Sequence, residues 1–375
     1  MSTFDYTLRD AQATAVAPVA PERFDSARYA DYEAELLPRC RRFWEEERGG
    51  VLVHRRVRVG EVFAEGAADM RRSLALQLGA LARGMDFKAD VPNFLEPWYG
   101  IGAAASAFGF GYVWERGQAP AVSGRFGSVE EALRSPAQPI AETPIGRRTL
   151  EMVRYFVEAT GGRLPVSYGD VQSPLNVACN IVSTNSILTD FYLAPEQVSA
   201  LLDRVAGLVA DFTRAQQALI GGALAAPGHG FASSRAFAGF GMSDDNAIMI
   251  SPEHYHALAA PSLTKLGSAF GGGAFHSCGD WSGKCRDVAC LPGLRMADGA
   301  FTAATDPSPN NPAPFAAAFA HTGVVLNARM VGTAQQVAQQ VRALWAPGMK
   351  LIVVTYCETP EEQAAAYDAV HEICQ

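Results

Sequence analysis

The segment Lys350-Leu-Ile-Val-Val-Thr-Tyr-Cys357, followed by residues 360–373, sets the pattern of the chain. Its apolar, β-branched first part reads as a strand and its second part as a helix. The same unit recurs backwards along the sequence. Gly323-Val-Val-Leu-Asn-Ala-Arg-Met330 precedes a helical stretch at 334–345, and Leu294-Arg-Met-Ala-Asp298 precedes one at 314–321. Gly271-Gly-Gly-Ala-Phe-His-Ser-Cys-Gly-Asp280 supplies a fifth strand, and residues 231–240 a fourth. Residues 164–170, 90–97 and 51–57 supply the third, second and first. Eight strand–helix units in series predict an α/β fold of the (β/α)8, or TIM-barrel, type with parallel strands and right-handed crossovers.

Two segments stand outside that repeat. Residues 1–48 comprise an Ala-, Pro- and Val-rich arm to about residue 25 and a helix over 29–48 with Trp44 on its apolar side. Gly49-Gly50 separates this N-terminal extension from a barrel domain over 49–375. The second is the connection 98–145, which holds Gly100, Gly102, Gly109 and Gly111 and many prolines. A connection that long predicts a lid inserted after strand two, whose glycines let backbone approach a ligand.

Composition narrows the function. The 375 residues are 49% hydrophobic and 19% charged, as suits a globular enzyme with a sizeable core. A net charge of −8 and a pI near 5.4 give no electrostatic footprint for nucleic acid. The N-terminus carries charges where a signal peptide needs an apolar core, and no run approaches the roughly 18 apolar residues of a membrane span. Seven cysteines, an odd number, fit free thiols or metal ligands in a reducing cytoplasm better than a disulfide framework.

Barrels of this class carry their chemistry at the carboxyl ends of the strands. Those ends offer Glu96; Asp170 and Gln172; Asp244 and Asp245; His276, Cys278 and Asp280; Asp298; Asn327 and Arg329; and Cys357 with Glu358. His276 and Cys278, two apart on a strand, point to the same face and present two donors that zinc takes readily. Cys357 ends the eighth strand and is favoured as third ligand over Cys285 and Cys290, which fall in the helical stretch after strand five. Asp280 or Glu358 would orient His276 through its other nitrogen. Asp170, Gln172, Asp244, Asp245 and Asn327 are candidates for substrate binding, although an Asp after a strand serves equally well as a helix cap. His229, His321 and His371 stand alone and read as structural or solvated residues.

Taken together, these stretches resemble the uroporphyrinogen decarboxylase superfamily, and within it the zinc-dependent methyltransferases. The likeness lies in Tyr99-Gly-Ile-Gly102 with Ala105-Ser-Ala-Phe-Gly109, Gly169-Asp-Val-Gln-Ser-Pro-Leu175, Ser251-Pro-Glu-His-Tyr255, Phe275-His-Ser-Cys-Gly279 and Tyr356-Cys-Glu358. The resemblance implies a (β/α)8 barrel and a zinc site at His276, Cys278 and Cys357. It further implies methyl transfer to a thiol substrate from a methylated corrinoid. No Asp-x-His-x-x-Gly corrinoid-binding stretch occurs, so the corrinoid would come on a partner protein. The first strand ends Val53-His-Arg-Arg-Val-Arg58 and lacks the Arg-Gln-Ala-Gly-Arg type of motif that holds porphyrinogen carboxylates in the decarboxylases. The alternatives are a metal-free, decarboxylase-like enzyme acting on a carboxylated substrate, and a non-catalytic corrinoid- or metal-binding protein.

Overall fold

The computed structural model describes residues 11–46, 49–115 and 117–375. Its main sheet has six parallel strands: β1 (Gly50–Arg55), β4 (Phe240–Ser243), β5 (Gly273–His276), β6 (Leu294–Ala300), β7 (Val325–Met330) and β8 (Lys350–Thr355). They run in the order β1-β8-β7-β6-β5-β4. A separate two-stranded antiparallel hairpin, β2 (Tyr112–Val113) with β3 (Ala121–Val122), lies within the long connection. Among the described residues no helix is long and apolar enough to cross a membrane.

Both faces of the sheet are buried, and alternation along each strand decides which face a residue joins. Val53, Phe275, Ala297, Leu326, Leu351 and Val353 pack under the helices in one cluster. Their neighbours Leu52, Ala274, Met296, Val325, Ile352 and Val354 form a second cluster with Phe231 and Phe237. Followed toward the carboxyl end, this second face changes character: Leu52 gives way to His54 and Arg56, Ala274 to His276, Met296 to Asp298, and Val325 to Asn327 and Arg329. The apolar half of this face belongs to the core, and the polar half forms a site at the carboxyl ends of the strands.

The expected eight-stranded ladder is interrupted between β1 and β4. The anticipated second and third strands meet through an isolated parallel bridge, Leu95 to Val166, and the third meets Leu224 through another. Pro92, Pro97, Pro165 and Pro227 punctuate these segments, and a proline has no N–H to give to a ladder. Side chains take over much of the pairing. Asp90 accepts from Val53 N at 2.8 Å, and Asn93 accepts from Val57 N at 2.9 Å while donating to Arg55 O at 2.8 Å. The expected fourth strand, 231–240, is likewise a sequence of turns, and β4 begins only at Phe240, the last residue of that expected strand.

The helix Ser26–Glu45 is capped by Asp25, which accepts from Arg28 N. The described part of the arm before it is tied to the body of the chain. Thr14 N bonds to Arg58 O and Val19 N to Ala75 O, and residue 17 lies against Gly79 so closely that a Cβ there would sit 2.0 Å from Ala17 O. Residues 1–10 and 47–48 lie outside the described part. The connection after Pro97 holds the hairpin, a helix at Val129–Arg134 and short 3-10 turns. Gly100 and Gly102 there admit Tyr112 rather than a ligand: Cβ atoms would come within 2.8 and 2.5 Å of its side chain.

Candidate functional site

His276 ends β5 and Cys278 follows two residues later, while Asp245 begins the turn after β4. Among the described residues, Asp245, His276 and Cys278 form the one group of three whose donor atoms all lie within 4.8 Å of one another. His276 Nε2 is 3.3 Å from Cys278 Sγ and 3.5 Å from Asp245 Oδ1, and Cys278 N donates to the same carboxylate oxygen at 2.7 Å. Asn176, on the helix Pro174–Ile181, holds the other Asp245 oxygen at 2.9 Å. Gly279, at φ 74°, turns the chain away after Cys278, and its N–H bonds to Asp306 at 3.0 Å.

The second nitrogen of His276 is spoken for. Nδ1 lies 2.5 Å from Asp298 Oδ2, and Asp298 also accepts from Asn327 Nδ2 at 2.5 Å and Arg329 Nε at 2.9 Å. These partners come from three adjacent strands on one face, so β5, β6 and β7 together aim Nε2 at the donor cluster. Burial works against a charge on His276, but Cys278 and Asp298 outweigh it and hold the ring well above the ordinary histidine value. Asp245 is held below the usual carboxylate range, because His276 and the Cys278 N–H outweigh its burial.

A cavity of about 300 Å³ opens beside the cluster, lined among others by Arg56, Trp98, Asp170, His229, His276 and Arg329. Arg56 Nη2 reaches both oxygens of Glu96, at 2.9 and 3.2 Å, and His229 Nδ1 lies 2.7 Å from the same carboxylate. Burial opposes the charge on Glu96, yet Arg56 and His229 keep it far below the usual carboxylate range. Asp170 has Trp98 Nε1 at 3.3 Å and His229 Nε2 at 3.5 Å; burial dominates there and pushes its carboxyl up. Arg329 Nη2 is buried without a partner.

The remaining sequence candidates fall elsewhere. Cys357 is buried and outside the cluster, with its carbonyl accepting from Arg55 Nε at 2.7 Å and its thiol pushed up to about 11 by burial. The reason is parity. Ile352, Val354 and Tyr356 belong to the face that carries His276, whereas Thr355 bonds to Gln363 of the C-terminal helix, and Cys357 is two residues on from Thr355. Asp244 is fully buried between Ser173 Oγ at 2.5 Å and Tyr255 Oη at 2.6 Å, and burial raises it to about 6. It braces the turn that presents Asp245. Gln172 is tied to Asn180 at 2.5 Å, and Asn327 supports Asp298 and the backbone of Ala232. Asp280 accepts from Ser282 N within its own turn, and Glu358 N bonds to Glu362, so Asp298 takes the orienting place expected for either. Cys285 is buried in the helix Cys285–Ala289 and Cys290 is exposed; neither joins the donors.

Three cavity residues escape sequence reasoning. His229 reads there as structural, and Arg56 and Arg58 stand out only for the absence of a family motif, yet all three line the cavity. The available signals are local: a histidine between two glycines, and arginines two apart at a strand end.

Residues 98–226 match the sequence model of the uroporphyrinogen decarboxylase (URO-D) family. The resemblance drawn from the sequence motifs holds over that segment. No curated protein matches the chain in sequence. Its fold is similar to that of a methyltransferase from Methanosarcina mazei, with a TM-score of 0.58 and 15% sequence identity. That superposition covers 91% of this chain and 98% of the other. At that identity the likeness speaks for a shared α/β architecture.

Proposed function

We propose that this URO-D-like protein is a zinc-dependent methyltransferase that moves a methyl group onto a thiol. The observation that carries the reading is the donor set Asp245, His276 and Cys278, gathered within 4.8 Å at the mouth of a cavity. One nitrogen, one sulfur and one carboxylate oxygen suit zinc and leave a position open for substrate. Zinc bound there would supply Lewis acidity, which lowers the proton affinity of a thiol. The protein does the rest. Asp298 fixes the His276 tautomer, Asn176 and the Cys278 N–H fix Asp245, and Trp98 helps shield the cavity from water. A thiol sulfur held there forms its bond to the methyl carbon while the donor keeps the electron pair of the bond that breaks.

The methyl donor in this reading is a corrinoid carried by a partner protein. The finer fold reading, a (β/α)8 barrel, goes with it: the strands are parallel, and the isolated bridges lie where strands two and three belong. Cys357 is the ligand expected from the sequence in place of Asp245, and substitution separates the two sets. Elemental analysis of Asp245→Asn, Cys278→Ala and Cys357→Ala should show zinc lost from the first two and kept in the third. Loss from Cys357→Ala with retention in Asp245→Asn would restore the sequence-derived set. Methyl transfer from methylcobalamin to small thiols then tests the activity; a zinc-loaded protein inert toward every thiol would refute it.

The decarboxylase alternative draws support from Arg56, Arg58 and Arg329, three cations able to hold a carboxylated substrate in the same cavity. Turnover of a carboxylated substrate by metal-free protein would decide for it.

A further inference from the structure

His229 stands in Pro227-Gly-His-Gly230, between glycines at φ 128° and 84°, conformations that only glycine adopts readily. The two bends carry its ring into the cavity, against Phe63 and Trp98 at centroid distances of 5.3 and 6.4 Å. Its two nitrogens meet different surroundings. Nδ1 is 2.7 Å from Glu96, which Arg56 and Gly230 N also bind, so that carboxylate is a fixed acceptor and Nδ1 carries the proton. Nε2 is left as the lone-pair side, 3.5 Å from Asp170, with the cavity before it. A histidine whose tautomer is set by a carboxylate on one side and whose other nitrogen faces a substrate space is arranged as a base.

We infer that His229 accepts the proton of the substrate thiol, with Glu96 fixing its tautomer and Asp170 flanking the charge that forms. The inference rests on the thiol reading above. The S–H bond breaks with its electron pair left on sulfur, and the proton forms a bond to Nε2. The imidazolium then lies between the carboxylates of Glu96 and Asp170, with Arg56 balancing Glu96. The other charged or titratable groups facing this space are Arg58, Arg329 and His276. The rival arrangement is a permanently charged ring that only bridges the two carboxylates.

Two measurements on the full chain decide between them. The first is nitrogen-15 histidine NMR of the metal-free protein, with His229→Gln assigning the signal. The neutral tautomer protonated at Nδ1 is the expected signal in the buffer used for the binding experiment. An imidazolium in that buffer overturns the inference whether or not the thiol reading stands. The second is calorimetry of 2-mercaptoethanol binding to zinc-loaded protein in buffers of different ionisation enthalpy. The wild type should pass almost no proton to the buffer and His229→Gln about one per thiol bound. Equal release by both overturns the inference. Absence of binding in both refutes the thiol reading, and the NMR result alone then decides the protonation of His229.

Discussion

Replacing Asp298 by Asn keeps the shape of the side chain and removes the charge on which three strands converge. Asp298 lies 2.5 Å from His276 Nδ1, 2.5 Å from Asn327 Nδ2 and 2.9 Å from Arg329 Nε, and is 1% exposed. Two separable losses follow. Arg329 becomes an uncompensated buried charge, which costs about 3–5 kcal/mol of folding stability. His276 loses the partner that fixes its tautomer, which typically costs about 10–100-fold in metal affinity, or about 1.4–2.8 kcal/mol. Urea unfolding of the metal-free protein reads the first, and zinc competition against a chromophoric chelator reads the second. Asp280→Asn serves as control, because its carboxylate accepts from Ser282 N within its own turn and is not one of the donor group. Zinc affinity of Asp298→Asn within about twofold of wild type would refute the claim that this carboxylate organises the donor set.

Other outcomes are equally specific. His54 is fully buried and pushed down to about 4 by burial. Its neutral form belongs to the fold, so its contribution is complete above the unfolded value of about 6.5 and is lost as pH falls from there toward 4, by up to about 3 kcal/mol; urea midpoints for wild type and His54→Gln should converge across that window. Gly102→Ala would place a Cβ 2.5 Å from the Tyr112 ring, and should destabilise by about 1–3 kcal/mol and loosen the hairpin, read as faster proteolysis between the two strands. Cys285→Ala and Cys290→Ala should leave zinc content unchanged, since neither sulfur joins the donor group.

The alternation of strands and helices is legible from residue 294 onward because β6, β7 and β8 are largely apolar runs followed by helices. It is least legible at 90–97 and 164–170, where prolines remove donors and the side chains of Asp90 and Asn93 replace ladder bonds; periodicity carries no trace of that substitution. His276 and Cys278 are readable as a pair because their spacing is local. Asp245 is readable only as a polar strand-end residue, since its approach to His276 depends on the pairing of β4 with β5, Ser243 opposite His276. Cys357 illustrates the converse. In Lys350–Cys357 both faces are apolar, so nothing in the run tells which parity looks toward the site. Only the helix contacts of Thr355 do that.

The interruption of the ladder also divides the site mechanically. Asp245, His276, Asp298 and Arg329 stand on or beside neighbouring strands paired in one continuous ladder, so their mutual spacing is set by many backbone bonds at once. Glu96, Asp170 and His229 stand opposite, on segments joined by single bridges and bent at proline and glycine. One wall of the cavity is thus set by a continuous backbone ladder, and the other by single bridges and side-chain ion pairs. Fewer backbone bonds would have to change to admit a bulkier guest at the second wall than at the first. Lineages that changed their guest would be expected to rewrite 90–101, 165–172 and 227–235 first, and to leave the register of β5, β6 and β7 alone.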